Sequence, residues 1–312
     1  MHCYRLRLQQ INGSTTPWCS DTLWGQLCWI YRDLYGKPAL VDLIHEAMAG
    51  NVPFVVSDGF PTGFLPMPIS GNCFSIASAA KTKLQGIEQI TAGKRLKKLC
   101  YLPESQFNRV IRGEEISLDD ALQPSDDIIG FQTHNSVSRE SNTVVDGNLF
   151  QLQWLQPGGN GGLDVYVLVR EDFVQTLWEC FDYMSRYGFG GKVSIGFGAF
   201  DVLEIAPFCF PTVVNPNCYI TLSRCTPSND MSTNGQYKLS IKYGKLGHDR
   251  SRQGEPFKKP IIQFEPGAVF WGRPPDEGYC GCLVENVAFD YADTVQCGLA
   301  ITIPAKIKEA LI

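Results

Sequence analysis

Glycine crowds one segment of the chain, residues 187–200, with the sequence Tyr-Gly-Phe-Gly-Gly-Lys-Val-Ser-Ile-Gly-Phe-Gly-Ala-Phe. Glycine loses more backbone freedom on folding than any other residue, so this density is costly unless the segment needs positive φ or a close neighbouring backbone. Unobstructed backbone N–H groups beside the single cation, Lys192, would suit a phosphate group. The segment therefore predicts either a flexible turn or a loop that lies against a phosphate-bearing partner.

The residues around this segment exclude two nucleotide-binding loops. Arg186 stands where a Walker loop needs its first glycine, and Val193 stands where a dinucleotide fingerprint needs its third. Residues 171–187 have the apolar spacing of an amphipathic helix that stops at Gly188, and residues 200–205 predict a strand. A helix, a glycine loop and then a strand is the reverse of the order that places phosphates at a helix N-terminus.

The composition is that of a globular protein. The 312 residues are 44% apolar and 19% charged, no apolar run reaches membrane-spanning length, and the N-terminus predicts a strand rather than a signal peptide. A net charge of −5 argues against wholesale non-specific nucleic-acid binding but is compatible with a local basic groove. Twelve cysteines without a Cys-x-x-Cys pair predict reduced thiols in a cytoplasmic protein, with no metal site and no cofactor.

Apolar spacing and prolines predict two domains, residues 1–206 and 207–312. The first begins with a strand over 4–11 and an amphipathic helix for which Ser20 is the expected N-cap, with Asp21 in its first turn. A short helix over 40–48 follows, and a strand over 163–170 leads into the helix before the glycine loop. Residues from about 60 to 155 predict an insertion into the first domain.

The second domain has the pattern of six short strands, at 219–223, 236–243, 261–264, 268–271, 282–289 and 296–303. Two basic runs accompany the predicted elements: one at 81–98 in the insertion, and one at 242–259 that includes Lys245 and Arg250. A solvated face, an RNA-facing surface and a partner-facing surface are all consistent with such runs.

The order of helix, glycine loop and strand resembles the glycine-rich signature of the RAMP superfamily, the RRM-like RNA-binding subunits of CRISPR effectors. In that family the loop joins the second helix of a ferredoxin-like unit to its last strand and lies against guide RNA. The resemblance implies an α+β fold of two ferredoxin-like (RRM-like) units with a long insertion and a thumb-like hairpin.

Further motifs follow the family's order along the chain. Residues 20–29, Ser-Asp-Thr-Leu-Trp-Gly-Gln-Leu-Cys-Trp, are similar to the opening helix of the type III-A (Csm) RAMP subunit that holds the 5′ handle of crRNA. The segments at 57–61, 65–68, 258–270 and 298–304 are similar to that subunit's later elements. The resemblance implies a non-catalytic subunit for antiviral defence that caps the 5′ handle. Its implied partners are crRNA, the large polymerase-like subunit and the repeating RAMP backbone subunit.

Residues 133–150 are polar and rich in turn formers, and they resemble the family's thumb-like hairpin, which grips and kinks the RNA. Arg139 fits the family's arginine, whose planar fork suits phosphate and whose flat face suits an unstacked base. The resemblance implies RNA contacts at the start of the first helix, at this hairpin, at the glycine stretch and in the second basic run. The predicted RNA-binding residues are Trp18, Cys19, Ser20, His134, Asn135, Arg139, Gly188, Gly190, Gly191, Lys192, Ser194, Gly196, Gly198, Lys245 and Arg250.

The sequence shows no acid–base constellation, so we expect no catalytic residue. Of the four histidines, His45 falls in a predicted helix as a partly buried residue, whereas His134 and His248 fall in polar loops without a spaced acid, base or cation. Two alternatives stay open. One is a RAMP-type endoribonuclease that processes precursor crRNA, which needs a histidine close to the glycine loop. The other is a scaffold that hardly touches RNA.

Overall fold

The computed structural model describes residues 1–70, 73–75, 94, 98–117, 122–144, 147–159, 161–247, 250 and 254–308. Its helices are α1 (Ser20–Tyr35), α2 (Lys37–Met48), α3 (Glu104–Val110) and α4 (Val174–Tyr187). Its strands are β1 (His2–Gln10), β2 (Phe54–Val56), β3 (Phe60–Pro61), β4 (Phe64–Pro66), β5 (Phe74–Ser75), β6 (Tyr101–Pro103), β7 (Ile116–Ser117), β8 (Ile128–His134), β9 (Phe150–Gln156), β10 (Gly162–Val169), β11 (Phe200–Pro207), β12 (Cys218–Thr221), β13 (Gly235–Gln236), β14 (Leu239–Lys242), β15 (Ile261–Phe264), β16 (Val269–Trp271), β17 (Tyr279–Val284) and β18 (Gln296–Ala305).

A first antiparallel sheet has the strand order β11-β1-β10-β2, and β3 also pairs with β10. Strand β10 is buried along nearly its whole length, which explains its almost unbroken apolar sequence. Helices α1 and α4 contact each other and strands of this sheet. Their buried side chains form one core with the inner residues of β1 and β10, among them Leu6, Leu8, Leu27, Val167 and Phe181.

The ends of the two long helices differ in how well the sequence predicts them. As expected, α4 ends at Gly188, where the backbone takes φ 92°. The expectation that Ser20 is an N-cap is wrong: Cys19 holds that position, and its side chain makes no capping hydrogen bond. The hydroxyl of Ser20 instead accepts a hydrogen bond from the backbone N–H of Arg224, 2.9 Å away. A cap residue and a long-range contact residue look alike in sequence.

A second antiparallel sheet has the strand order β13-β16-β12-β18-β17. The predicted strand over 236–243 is in fact two, because β13 pairs with β16 whereas β14 pairs with β15. The predicted strand over 282–289 is shifted and ends at Val284, since Asn286 takes a positive φ of 54°. The residues described between 207 and 308 contain no α-helix.

Buried polar groups join the start of α1 to the second sheet. The carboxylate of Asp21, only 3% exposed, accepts hydrogen bonds from Lys242 Nζ at 2.6 Å and from Gln296 Nε2 at 2.8 Å. Asp58 accepts the backbone N–H of Ser20 at 2.8 Å. The Asp21 carboxylate makes both bonds only when α1, β14 and β18 are in place together, so it fixes the helix against these strands.

The predicted insertion contributes α3, the two-stranded pairings β4–β6 and β5–β7, and the hairpin of β8 and β9. The basic run at 81–98 lies outside the described residues except for Lys94 and Lys98. Throughout the described part of the chain, no helix has the length and apolarity needed to cross a membrane. The same residues hold no cluster of three side chains able to ligate a metal ion.

Candidate functional site

The glycine stretch is an ordered loop with an exposed rim. Gly188, Gly190, Gly196 and Gly198 all take φ between 70° and 94°, which explains the need for glycine at these four places. Lys192 also lies in the left-handed region, at φ 63°, just before a 3₁₀ turn over Val193–Ile195. Gly191, Lys192, Ser194 and Gly196 are exposed, whereas Gly188 and Gly198 are buried.

The segment 12–16, between β1 and α1, holds this loop in place. The Asn12 side chain donates to the carbonyl of Gly196, and the Gly198 N–H donates to the carbonyl of Gly13. Thr15 Oγ1 donates to the Gly191 carbonyl at 2.9 Å, and the Gly191 N–H donates to Thr16 Oγ1 at 3.0 Å. The rigidity of the loop therefore depends on a neighbouring segment that sequence reasoning did not single out.

These contacts correct the expectation of successive free N–H groups along the glycines. The Gly190 amide donates to Gln26 Oε1, and the amides of Gly191 and Gly198 are also engaged within the chain. The amides of Lys192, Val193 and Ser194, which begin the 3₁₀ turn, have no hydrogen-bond partner among the described residues. The donors that remain for a phosphate are thus concentrated at this turn.

Trp18 lies beneath the loop. Its ring is 7% exposed, stacks on Phe189 with centroids 4.0 Å apart, and meets Phe200 edge-on at 5.0 Å. The indole N–H donates to Gln10 Oε1 at 2.9 Å. Trp18 therefore supports the loop from the core side and offers little surface to a ligand.

Cys19 and Ser20 are buried as well, at 8% and 1% exposure. Burial raises the pKa of the Cys19 thiol to about 12, so this thiol is neutral near pH 7. The side chain of Ser20 is occupied by the second sheet through the Arg224 amide. Of the predicted positions at the start of α1, none is exposed in the folded chain.

The predicted thumb is a hairpin of β8 and β9, which pair from Ile128 and Gln156 to His134 and Phe150. Its tip closes through a bridge between Val137 and Val144 and a turn in which Asn142 takes φ 54°. Arg139 is exposed at this tip and has no ion pair or hydrogen bond among the described residues. Asn135 is also exposed.

The hairpin and the glycine loop meet at one aromatic ring. The ring of His134 stacks on that of Phe150, with centroids 5.6 Å apart and planes inclined by 16°. Lys192 Nζ lies 6.0 Å from the centroid of the same Phe150 ring. Two predicted RNA-binding side chains, distant in sequence, are therefore neighbours in space.

The base of the hairpin is joined to the same segment that holds the loop. The backbone groups of Ser14 and Leu155 exchange two hydrogen bonds of 2.8 Å, and Gln10 Nε2 donates to the Leu155 carbonyl. The ring of Trp154 lies against both Gly13 and Gly130, where a β-carbon would come within 2.3 Å and 2.0 Å of it. The absence of side chains at these two glycines allows the close approach.

The two predicted residues of the second basic run differ in their availability. Lys245 is exposed, with Nζ 4.8 Å from the ring centroid of Phe257. Arg250 pairs with Asp293, donates to Thr294 Oγ1 and lies over the ring of Tyr291. Arg250 therefore contributes to a local cluster, and nothing brings it to the glycine loop.

The fold is similar to solved structures of CRISPR effector components. A chain of the crystal structure of the Csm1–Csm4 cassette in complex with pppApA matches with a TM-score of 0.63 and 16% identity, over 99% of this chain and 100% of that chain. A chain of the Csm3–Csm4 subcomplex in the type III-A CRISPR-Cas interference complex matches with a TM-score of 0.60 and 13% identity, over 97% and 99%. Identities this low make the likeness one of fold.

No curated protein matches the sequence. The sequence pattern that defines the RAMP superfamily, in contrast, matches residues 6–201. This match covers more than half of the chain and includes residues 6–10 of β1, helix α1, the hairpin and the whole glycine loop. The chain therefore belongs to the RAMP superfamily.

Proposed function

We propose that this RAMP protein is a non-catalytic RNA-binding subunit that caps the 5′ handle of crRNA in a type III CRISPR ribonucleoprotein. One observation carries the proposal: the exposed glycine-loop turn and the projecting hairpin meet at Lys192 and Phe150 and are both built on the segment 12–16. Such a pair supplies N–H donors, cations and aromatic faces along one strip. That combination suits an unpaired RNA strand.

The proposal divides the predicted RNA-binding residues by their exposure. Direct contact is assigned to the exposed members, namely Asn135, Arg139, Gly191, Lys192, Ser194, Gly196 and Lys245. The buried residues Trp18, Cys19, Ser20, Gly188 and Gly198 position the loop instead. His134 and Gly190 are partly buried and line the junction between the hairpin and the loop.

A finer description of the fold belongs to the same proposal. The order β11-β1-β10-β2, with α1 and α4 as the two connections, is that of a ferredoxin-like unit within the proposed domain 1–206. The order β18-β12-β16-β13 repeats this arrangement in the domain 207–312, but its described connections contain no α-helix. The second unit therefore keeps the strand order of the first without its helical layer.

Two protein partners are proposed from the matched structures, in which Csm4 is paired with Csm1 in one case and with Csm3 in the other. We assign this chain to the same position, in contact with the large polymerase-like subunit and with the repeating backbone subunit, in the cytoplasm. Apolar side chains exposed on the β14–β15 pair support protein docking there, since Leu239, Ile241 and Ile262 are each 57–58% exposed.

The test is binding of RNA copied from the host's CRISPR repeat to the chain, alone and together with its large partner. A handle cap binds the repeat-derived 5′ segment more tightly than RNA of the same composition in scrambled order. A scaffold has the same affinity for the large subunit with and without RNA, and binds both RNAs equally. Equal binding of the two RNAs would contradict the proposal.

A second candidate, an endoribonuclease acting on precursor crRNA, is favoured by one specific observation. His134 lies beside the glycine loop, on the same Phe150 ring that Lys192 approaches. A histidine with a neighbouring cation is a pattern of acid–base RNA cleavage. The other described histidines, His2 and His45, are exposed and remote in sequence from the loop; the expectation that His45 is partly buried is wrong.

Incubation of the purified chain with repeat-containing RNA separates the two candidates. The cap proposal expects intact RNA after prolonged incubation, with and without His134→Ala. Cleavage by the parent chain that His134→Ala abolishes, while RNA binding persists, would instead establish the endoribonuclease. His248 lies outside the described residues, so His248→Ala serves as the second arm of this test.

A further inference from the structure

A cleft of about 740 Å³ separates the edge of the first sheet from the second. Its lining comes from the segment 58–60, from residues around β4 and β6, from residues 235–238 at and after β13, and from residues 265–266 after β15. This volume lies within the usual range of small-ligand sites, about 300–1,000 Å³. The segment 57–61, one of the family-like motifs, thus forms part of a concave surface away from the glycine-loop turn.

The lining includes a buried carboxylate, Asp58, beside a partly buried guanidinium, Arg224. Asp58 Oδ1 accepts the Ser20 N–H, whereas Oδ2 lies 3.6 Å from Arg224 Nε, which is longer than a hydrogen bond. Arg224 donates through one terminal nitrogen to Ser240 Oγ at 2.8 Å, and its buried Nε has no hydrogen-bond partner. Burial also raises the pKa of Asp58, although the neighbouring guanidinium of Arg224 acts to lower it. A donor and an acceptor are therefore adjacent and incompletely satisfied.

Aromatic and cationic side chains complete the lining. Tyr101 comes from the insertion and Tyr237 from the segment between β13 and β14, so the two rings reach the cleft from different parts of the chain. Lys238 is exposed beside Tyr237. Flat rings accept a nucleobase face, an adjacent carboxylate and guanidinium match a base edge that carries both an acceptor and a donor, and a lysine suits a phosphate.

We propose that this cleft binds an unstacked nucleobase, presented by the RNA that the chain holds. The proposal rests on the proposed function, because the base is supplied by the bound RNA. A path of contacts joins the two places: the Gly59 N–H donates to the Trp18 carbonyl at 2.7 Å, and Trp18 stacks on Phe189 of the glycine loop. Gly59, which lines the cleft, and Phe189 of the glycine loop therefore contact the same core residue, Trp18.

Cys100 provides a direct probe, because it lines the cleft and is exposed. Cys209 is the other exposed cysteine, lies outside the lining, and serves as an internal control. The rate of iodoacetamide alkylation at each thiol is measured by mass spectrometry with no ligand, with repeat-derived RNA, with the same RNA made abasic at one position at a time, and with mononucleotides. We expect saturating RNA to slow alkylation of Cys100 about tenfold, since ligand pockets bury most of their ligand, and to leave Cys209 unchanged.

If the cleft binds one base, RNA that lacks this base should still bind the chain but should no longer slow the alkylation of Cys100. RNA that binds without protecting Cys100, or protection unaffected at every abasic position, would overturn the inference and leave the proposed function intact. If micromolar mononucleotides protect Cys100 from alkylation and RNA does not, the bound RNA does not supply the base, and the inference is wrong on this point. Protection by the large protein partner without RNA would assign the cleft to a protein contact instead.

Substitutions supply a second measurement. Arg224→Lys keeps the charge but loses the planar fork, and Tyr237→Ala removes an aromatic wall. Both are expected to abolish RNA-dependent protection of Cys100. Tyr243→Ala is the matched control, because Tyr243 is 69% exposed in the same region and lies outside the lining. Unchanged protection in Tyr237→Ala, with thermal unfolding like that of the parent, would contradict the site.

Discussion

Arg139 shows what a single exposed residue at the hairpin tip is expected to do. Its guanidinium has no partner in the described chain, so all of its donors are available to RNA. If it clamps a bent strand, Arg139→Lys loses most of the handle affinity that Arg139→Ala loses, about tenfold, because lysine replaces only the charge.

Handle affinity of the chain bound to its large partner, at two salt concentrations, tests this prediction. Arg273→Ala is the control, since Arg273 is 81% exposed and pairs only locally with Asp276. Full rescue by lysine would reduce Arg139 to a generic charge contact.

Two glycines of the loop make a matched pair for stability. A β-carbon at Gly198 would come within 2.0 Å of the Phe189 carbonyl oxygen, whereas one at Gly196 meets nothing within 4 Å. Both have positive φ, so Gly196→Ala is expected to cost about 1–2 kcal/mol of unfolding free energy from backbone strain alone.

Gly198→Ala adds the clash and should cost at least about 2 kcal/mol more than Gly196→Ala. Urea unfolding of the two variants measures the difference. Similar midpoints would mean that the loop relaxes freely and that its ordered conformation contributes little.

At the scale of elements, the hairpin depends on the two glycines that face Trp154. Gly130→Ala would place a β-carbon within 2.0 Å of that ring and displace it from the segment 12–16. We expect amide hydrogen exchange in β8 and β9 to quicken by about tenfold or more, with β10 unchanged. Gln132→Ala is the control within the hairpin, since Gln132 lies in β8 and its side chain is exposed. Exchange as slow as in the parent would show that Trp154 does not fasten the hairpin.

The elements divide into those that sequence could predict and those that it could not. Periodicity and the glycine stop predicted α1, α4, β1, β10 and β11 to within a few residues, because their apolar faces repeat regularly. The loop anchors at Asn12, Thr15 and Thr16 carry no such signal: they act through single hydrogen bonds to a segment about 180 residues away. The burial of Trp18 was missed for the same reason, since an aromatic side chain suits both a core and an RNA surface.

For the whole molecule, the Asp21 contact decides how firmly α1 is joined to strands β14 and β18. Asp21→Asn leaves Lys242 without its counter-charge and should lower the free energy of unfolding by about 2–3 kcal/mol. This is less than for a fully buried pair, because Lys242 is partly exposed. Adding Lys242→Met should restore part of this loss. Equilibrium unfolding of the two single variants and the double variant measures the coupling. If the losses of unfolding free energy in the two single variants simply add in the double variant, the pair does not hold α1 to β14.

The buried thiols predict sensitivity of the whole chain to alkali. Burial raises the pKa of Cys73 and of Cys180 to about 12, above the ordinary range for an unfolded chain. The unfolded chain therefore loses these protons first, so stability is complete below about pH 8 and falls as pH rises, by roughly 1.4 kcal/mol per pH unit for each such thiol.

Urea unfolding at pH 8 and pH 9.5 tests this dependence. The unfolding free energy of Cys73→Ala should fall less steeply with pH than that of the parent, by an amount that corresponds to about one proton released on unfolding. His45→Ala, an exposed change, should leave the slope as it is. A slope that Cys73→Ala does not alter would show that this thiol ionises as easily in the folded chain.

The central position of β1 in the first sheet has a consequence for synthesis. The ribosome makes His2–Gln10 first, yet its two partners, Gly162–Val169 and Phe200–Pro207, follow more than 150 residues later. At about 5–20 residues per second, the inward side chains Leu6 and Leu8 have no native neighbour strand for roughly 8–30 seconds. Nascent chains halted before residue 162 should therefore be held by chaperones, and release should coincide with emergence of the glycine loop and the strand that follows it.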